Sequence, residues 1–308
     1  MHYVRLIAAL ALGLALGACG PAEADSNNTG DGGHVLNPDG GANNNVNDNT
    51  NGNTAWQPPT NSRIYVNTQD TLYYVDPGVS DQLVTIGDFF GPCTSDSGFY
   101  DIAVNEAKQI LGISAEGLYE VDKDTAECTA VFQFPLNSPH FFSLSFVKGV
   151  DPAEPSLDKL IAASVEEGEW VLINYPGDII SEIFISLGYY DVPDLEWLSS
   201  GDIISIQVDW TEYVTYATLK CPNYDDTGCE SDWLAEIDAE NGDARLIGAT
   251  GFQKIFGLGY WGDRVYGFTG DGDYITINVD TGAGTLVYSD ATRSYWGAGN
   301  TTIPHIVN

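Results

Sequence analysis

The chain has 308 residues, 43% of them hydrophobic and seven of them Trp, enough to core one large domain or two small ones. Its 44 Asp and Glu against 11 Lys and Arg leave a formal net charge of −33. A surface so acidic repels phosphate backbones and anionic lipid heads. It excludes nucleic acid as a partner, favours a soluble monomer, and leaves cations and basic partners open.

Residues 1–18 read as a leader, with "MHYVR" as the positive n-region and "LIAALALGLALG" as an apolar run too short to span a bilayer. The stretch that follows, Leu16-Gly17-Ala18-Cys19, resembles the bacterial lipobox. That resemblance implies cleavage before Cys19, a diacylglycerol on its thiol and a palmitate-type acyl chain on its new amine. Gly20, rather than Asp, follows the cysteine, which resembles lipoproteins that Gram-negative cells release to the outer membrane. The lipid is the only membrane anchor expected.

Residues 19–61 are rich in Asn, Gly and Asp and lack apolar periodicity, so they cannot offset their ordering entropy and read as a disordered tether. About forty flexible residues span roughly 35 Å, at about 5–6 Å times the square root of length. His34 lies there with no neighbour that suggests a metal site.

Residues 62–308 form the folded domain. Five hairpins repeat along it: "TLYYVDPGVSDQLVTIG", "GLYEVDKDTAECTAVF", "WVLINYPGDIISEIFI", "WLAEIDAENGDARLIG" and "YITINVDTGAGTLVYS". Each has an alternating strand, an Asp or similar residue, a polar turn and a returning strand. In "YITINV", Ile275, Ile277 and Val279 share one face while Tyr274, Thr276 and Asn278 share the other. A further strand pair precedes four of the hairpins, but the first has only "RIYVNT" before it. Four strands in units of about 40–60 residues predict the blades of a β-propeller. The chain is therefore expected to be all-β, with five four-stranded antiparallel blades. The orphan strand in "SYWGAGNTTIP" would complete blade one and close the ring. A β-sandwich is the alternative, and it explains neither the repeat nor the displaced strand.

The pattern "GLGY…RVYGF…YITINVDTGAG" resembles propeller repeats of secreted bacterial lipoproteins, of the form "LYGxxxxGxLYxIDxxTGxxTxIG". Residues 101–131 come nearest to it, and the resemblance covers residue 63 to the end. It implies a fold and not an activity.

Apart from Cys19, the four cysteines of an exported chain predict two disulfides. Cys221 and Cys229 flank "PNYDDTG" and make the easiest pair, worth about 2–3 kcal/mol by loop entropy. By exclusion Cys93 pairs with Cys128, although the topology nominally sets these at opposite ends of the blades. The long "DFFGPCTSDSG" loop would have to fold over to join them. Zinc is the rival reading, but no C-x-x-C spacing occurs.

His140 and His305 are the only histidines in the folded part and fall at different ends of the ring, which argues against a Ser–His–Asp or Cys–His site. Asp271 and Asp273 in "TGDGD" hint at calcium without the spacing of an EF-hand; no other cofactor is expected. The loops that join blades, and those between second and third strands, should gather at one channel mouth. They carry Phe89, Phe90, His140, Glu166, Tyr189, Tyr190, Asp191, Trp197, Asp225 and Asp226, aromatics beside carboxylates that suit a carbohydrate, peptide or cationic ligand. The same aromatics could equally be channel-plugging core. The expected function is a binding or scaffolding module for an extracytoplasmic ligand or protein. The alternative is a carboxylate-based hydrolase or lyase, with or without calcium.

Overall fold

The computed structural model describes residues 63–95, 98–135, 138–164, 167–174, 183–192, 195–209, 212–220, 230–262 and 264–302. Blade one contains β1 (Ile64–Asn67), β2 (Thr71–Asp76) and β3 (Ser80–Asp88), and blade two β4 (Asp101–Val104), β5 (Ile110–Ile113), β6 (Gly117–Val121) and β7 (Cys128–Gln133). Blade three has β8 (Phe141–Val147), β9 (Lys159–Ser164), β10 (Glu169–Ile173) and β11 (Phe184–Tyr189). A small pair, β12 (Asp191–Val192) and β13 (Leu195–Glu196), leads to blade four: β14 (Leu198–Gln207), β15 (Tyr213–Lys220), β16 (Trp233–Ile237) and β17 (Ala244–Ala249). Blade five has β18 (Ile255–Trp261), β19 (Arg264–Thr269), β20 (Asp273–Ile277) and β21 (Gly284–Ser289), and β22 (Gly297–Gly299) follows.

The sheet order β22-β1-β2-β3 makes β22 the innermost strand of blade one, with Val66 opposite Ala298 in antiparallel register. The other four blades run in chain order. The ring of five blades closes as the strand count predicts. Among the described residues no helix is long and apolar enough to cross a membrane.

Burial explains why the ring holds. Five apolar clusters fill the five junctions between neighbouring blades, including the closing one, where Ile64, Val66 and Val75 of blade one meet Phe268 and Tyr274 of blade five. Each fully buried Ile, Val or Phe contributes about 1.5–3 kcal/mol. A strand between two blades must therefore be apolar on both faces, as the fully buried β4 and β5 are.

The turn between third and fourth strands is built alike in three blades. The Asp122 side chain accepts the N–H groups of Asp124 and Thr125 (2.9 Å each), Asn278 those of Asp280 and Thr281, and Asp238 that of Glu240. The chain then turns through a left-handed residue: Ala126, Gly242 or Gly282. Every outer strand carries a β-bulge at one equivalent place, occupied by Gly87, Phe132, Gly188, Gly248 and Tyr288 in blade order. At Gly188 and Gly248 a side chain would collide with the carbonyl of Asn241 or Thr281 in the following blade's turn, and Gly87 lies against Thr125 and Ala126. The glycine is a seat for the next blade.

The Cys93–Cys128 disulfide is formed, with its Cα atoms 6.0 Å apart. Sheet twist carries the tail of β3 sideways to the β6–β7 turn of blade two, where Phe90 pairs in parallel with Glu127. The two cysteines are therefore neighbours rather than at opposite ends. Cys221 and Cys229 lie outside the described residues, as do Cys19 and His305.

Removing residues 295–308 strips β22 from β1, takes out the buried Tyr295 and Ala298, and exposes β1 backbone. The expected outcome is aggregation, or a fall of more than about 10 °C in melting temperature, at about 2–4 °C per kcal/mol; an unchanged melting curve would contradict the ring. Replacing Cys93 and Cys128 together by Ser should cost about 3–4 kcal/mol by loop entropy, read by denaturant melting.

Candidate functional site

The blades enter the ring centre through their inner strands, and equivalent positions there stack in two layers. At the rim these are Tyr100, Phe142, Gly201, Phe256 and Trp296, one per blade. One residue further along come Asp101, Ser143, Asp202, Gly257 and Gly297, all buried.

The rim is aromatic in four of its five positions. Tyr100 meets Phe142 edge-to-face at 4.7 Å and Trp296 in a stacked contact at 5.9 Å. Trp296 also touches Phe142 at 6.3 Å and Phe256 at 5.9 Å. At the fifth position Gly201 leaves room for the Ile255–Phe256 backbone, which a side chain would strike. All four rings are half-buried, so they close the channel and still show part of their faces to water.

Beneath them lie two carboxyl groups with 0% and 1% exposure, Asp101 and Asp202. Asp101 accepts the N–H of Ile102 and, from the next blade, that of Leu144, both at 2.7 Å. Asp202 accepts the N–H of Ile203 (2.6 Å) and, from blade five, that of Leu258 (2.5 Å). Burial raises the pKa values of both carboxyls well above the ordinary range, and the Asp202 charge adds to this at Asp101. Gly257 and Gly297 leave the space, and any side chain at Gly297 would meet Asp101 and Asn67. Burial, then the Asp202 charge, also pushes the Tyr190 phenol up.

At the other end of the channel the buried Lys148 ammonium bonds Glu106 (2.9 Å), the Ser156 carbonyl (2.6 Å) and Asp158 (3.2 Å). Burial works against its charge, but Glu106 and Asp158 outweigh that and raise its pKa. Asp158 in turn accepts the Thr302 hydroxyl (2.6 Å), which ties the segment after β22 to blade three.

The residues expected at the mouth are scattered. Phe89 is core, edge-on to Phe99 at 4.5 Å; Tyr190 packs on Trp170, and Trp197 on Trp233. All three are less than 10% exposed and are therefore corrected to packing residues. Phe90, Tyr189 and His140 are exposed and none of the three is among the rim contacts; Asp191 lies in β12. Glu166, Asp225 and Asp226 fall outside the described residues. Asp271 is engaged by Lys254 at 2.7 Å, and among the described residues no group of three or more His, Cys, Asp or Glu is placed to hold a metal ion.

No protein-family model and no curated protein matches the chain. Among solved structures it is similar to an auxiliary nutrient binding protein of Bacteroides thetaiotaomicron, at 10% identity over 80% of this chain and 64% of that one, TM-score 0.42. It is also similar to the WD40 β-propeller domain of Doa1, at 12% identity over 80% and 87% of the two chains, TM-score 0.38. A third likeness is to the extracellular domain of a B. thetaiotaomicron one-component system, at 11% identity over 77% of this chain and only 28% of that one, TM-score 0.39. The likeness is of fold alone. The described chain is a five-bladed β-propeller.

The carboxyl pair predicts a pH dependence. A carboxyl whose folded pKa is raised stabilises fully below its unfolded value, about 3.9, and that stability is lost as pH rises through the folded value. Asp101→Asn has no carboxyl to titrate, and its amide nitrogen cannot accept the N–H it faces, a cost of about 1–3 kcal/mol. The melting-temperature gap between wild type and Asp101→Asn should be widest at about pH 4 and below and narrow as pH rises above it. Parallel profiles would mean that the Asp101 pKa is not raised.

Proposed function

We propose that the chain is a lipid-anchored propeller of the cell envelope that binds an extracytoplasmic ligand on the aromatic mouth of its ring. One observation carries the binding reading: four blades each deliver a half-buried aromatic ring to the same point, Tyr100, Phe142, Phe256 and Trp296. The part of these rings that stays uncovered leaves aromatic surface for a ligand to contact. The lipobox-like Leu16–Cys19 stretch supports the anchor. Binding is favoured over the hydrolase or lyase alternative because the two converging carboxyls are buried and committed to backbone N–H groups. A catalytic acid or nucleophile has to reach substrate and water.

Two measurements test the parts separately. Cys19→Ser should lose labelled fatty acid and leave the membrane fraction; label that persists would remove the anchor. Envelope extract passed over the full chain should yield a ligand whose capture drops about tenfold with Phe142→Ala, the loss of roughly one stacking contact. Equal capture by that variant would remove the mouth as the site.

A further inference from the structure

We infer that the ligand of the aromatic mouth is a cationic peptide segment, bearing Arg or Lys side chains that stack on the rim. This rests on the binding reading above and adds the chemistry of the partner.

The first argument is charge. Eleven basic residues can neutralise at most a quarter of 44 carboxylates, and many of the eleven are already spent inside the molecule. Lys148 is held by Glu106 and Asp158, Lys159 by Asp151 and Glu154, Lys123 by Asp124, and Arg245 by Glu236. On the mouth side, Lys254 is paired with Asp271 beside Phe256, and Arg293 with Asp290. The remaining cation there, Lys220 at the end of β15, is half-buried, and burial lowers its pKa. The net charge of −33 thus draws cations to the chain and repels anions.

The second argument is the surface at the end of that field. An aromatic cluster accepts sugars, apolar side chains or cations about equally well by contact alone. In a strongly negative field the cation gains most, because ring face and field attract it together. The protein already uses this contact internally: Arg63 lies 4.1 Å over the Tyr74 ring and Arg293 4.9 Å over Tyr73. Guanidinium groups also stack on aromatic faces. Because Tyr100, Phe142, Phe256 and Trp296 touch one another, no cage is left between them for a lone small cation. They form a platform for an extended segment lying across it.

The test is calorimetric titration of the full chain with a short arginine-rich peptide and, separately, a neutral oligosaccharide. Each is run at about 50 mM and about 500 mM salt, where screening lengths differ about threefold. The peptide should bind, and high salt should weaken it by about tenfold or more. Phe142→Ala and Trp296→Ala should each weaken it further at both salts, since ring contact is not screened. Phe142 lies away from the closing strand, so it guards against a folding defect in the Trp296 variant. Absence of peptide binding overturns the proposal. So does peptide binding that salt abolishes equally in wild type and both variants, which is diffuse attraction to an acidic surface. Salt-insensitive binding of the oligosaccharide in the peptide's place overturns it too, while leaving the mouth as a binding site. Failure of the mouth itself is read independently, from envelope capture that Phe142→Ala does not reduce.

Discussion

The burial of the Asp101 and Asp202 carboxyls at the ring centre is the constraint on which the rest of the ring depends. Asp101 belongs to blade two and Asp202 to blade four, the N–H groups they accept across blades come from blade three and blade five, and Gly297 of the closing strand of blade one lies against Asp101. A single pair therefore touches all five blades. Burial raises both pKa values, so the ionised pair is disfavoured and backbone N–H groups of the neighbouring blades hold the carboxyls in place. It also explains why the positions around the pair are Gly257, Gly297 and Ser143: the centre has room for two carboxyls and little else. The aromatic rim one residue above inherits its geometry from this arrangement.

Much of the fold was legible because its local chemistry repeats. An Asp or Asn that caps the turn, a left-handed residue after it and an alternating strand on either side are each dictated by backbone geometry, so they recur even as the apolar residues drift. The displaced closing strand could be counted for the same reason. The candidate site was not legible in that way. Attention to loops selected Phe89, Tyr190 and Trp197, which are aromatic because blade junctions need large apolar groups. The rim residues lie at the first positions of inner strands, in "FYDI", "HFFSL", "IFGL" and "SYWGA", where they resemble ordinary strand aromatics. Aligning the five inner strands on their entry points would have exposed the column, with Gly201 as its gap. Nothing in the linear sequence shows that Asp101 and Asp202 meet, because their contact runs across the ring.

The extreme acidity takes on a structural meaning beside these details. Excess charge destabilises a compact state by self-repulsion, so the ring needs closure at several independent points. It has the β22–β1 pairing, the blade-five cluster on blade one, the bonds of Asp101 and Asp202 to the following blades, and the Lys148–Asp158–Thr302 chain at the opposite mouth. The Cys93–Cys128 bond secures the first junction covalently. An anionic exterior is thus compatible with a persistent centre.

The glycine seats divide the circle unevenly. They occur at Gly87, Gly188 and Gly248, which join blade one to two, three to four and four to five. The two remaining junctions have Phe132 and Tyr288 at the equivalent bulge. There the outer strand offers an aromatic surface, such as the Phe132–Phe134–Phe184 series, in place of a recess that grips a turn. The propeller is in this respect two arcs, one of two blades and one of three, meeting along two smoother seams. Tyr100 and Phe142 face each other across one seam, and Phe256 and Trp296 across the other. A segment laid over the mouth would span both joints at once, and so tie the two arcs together.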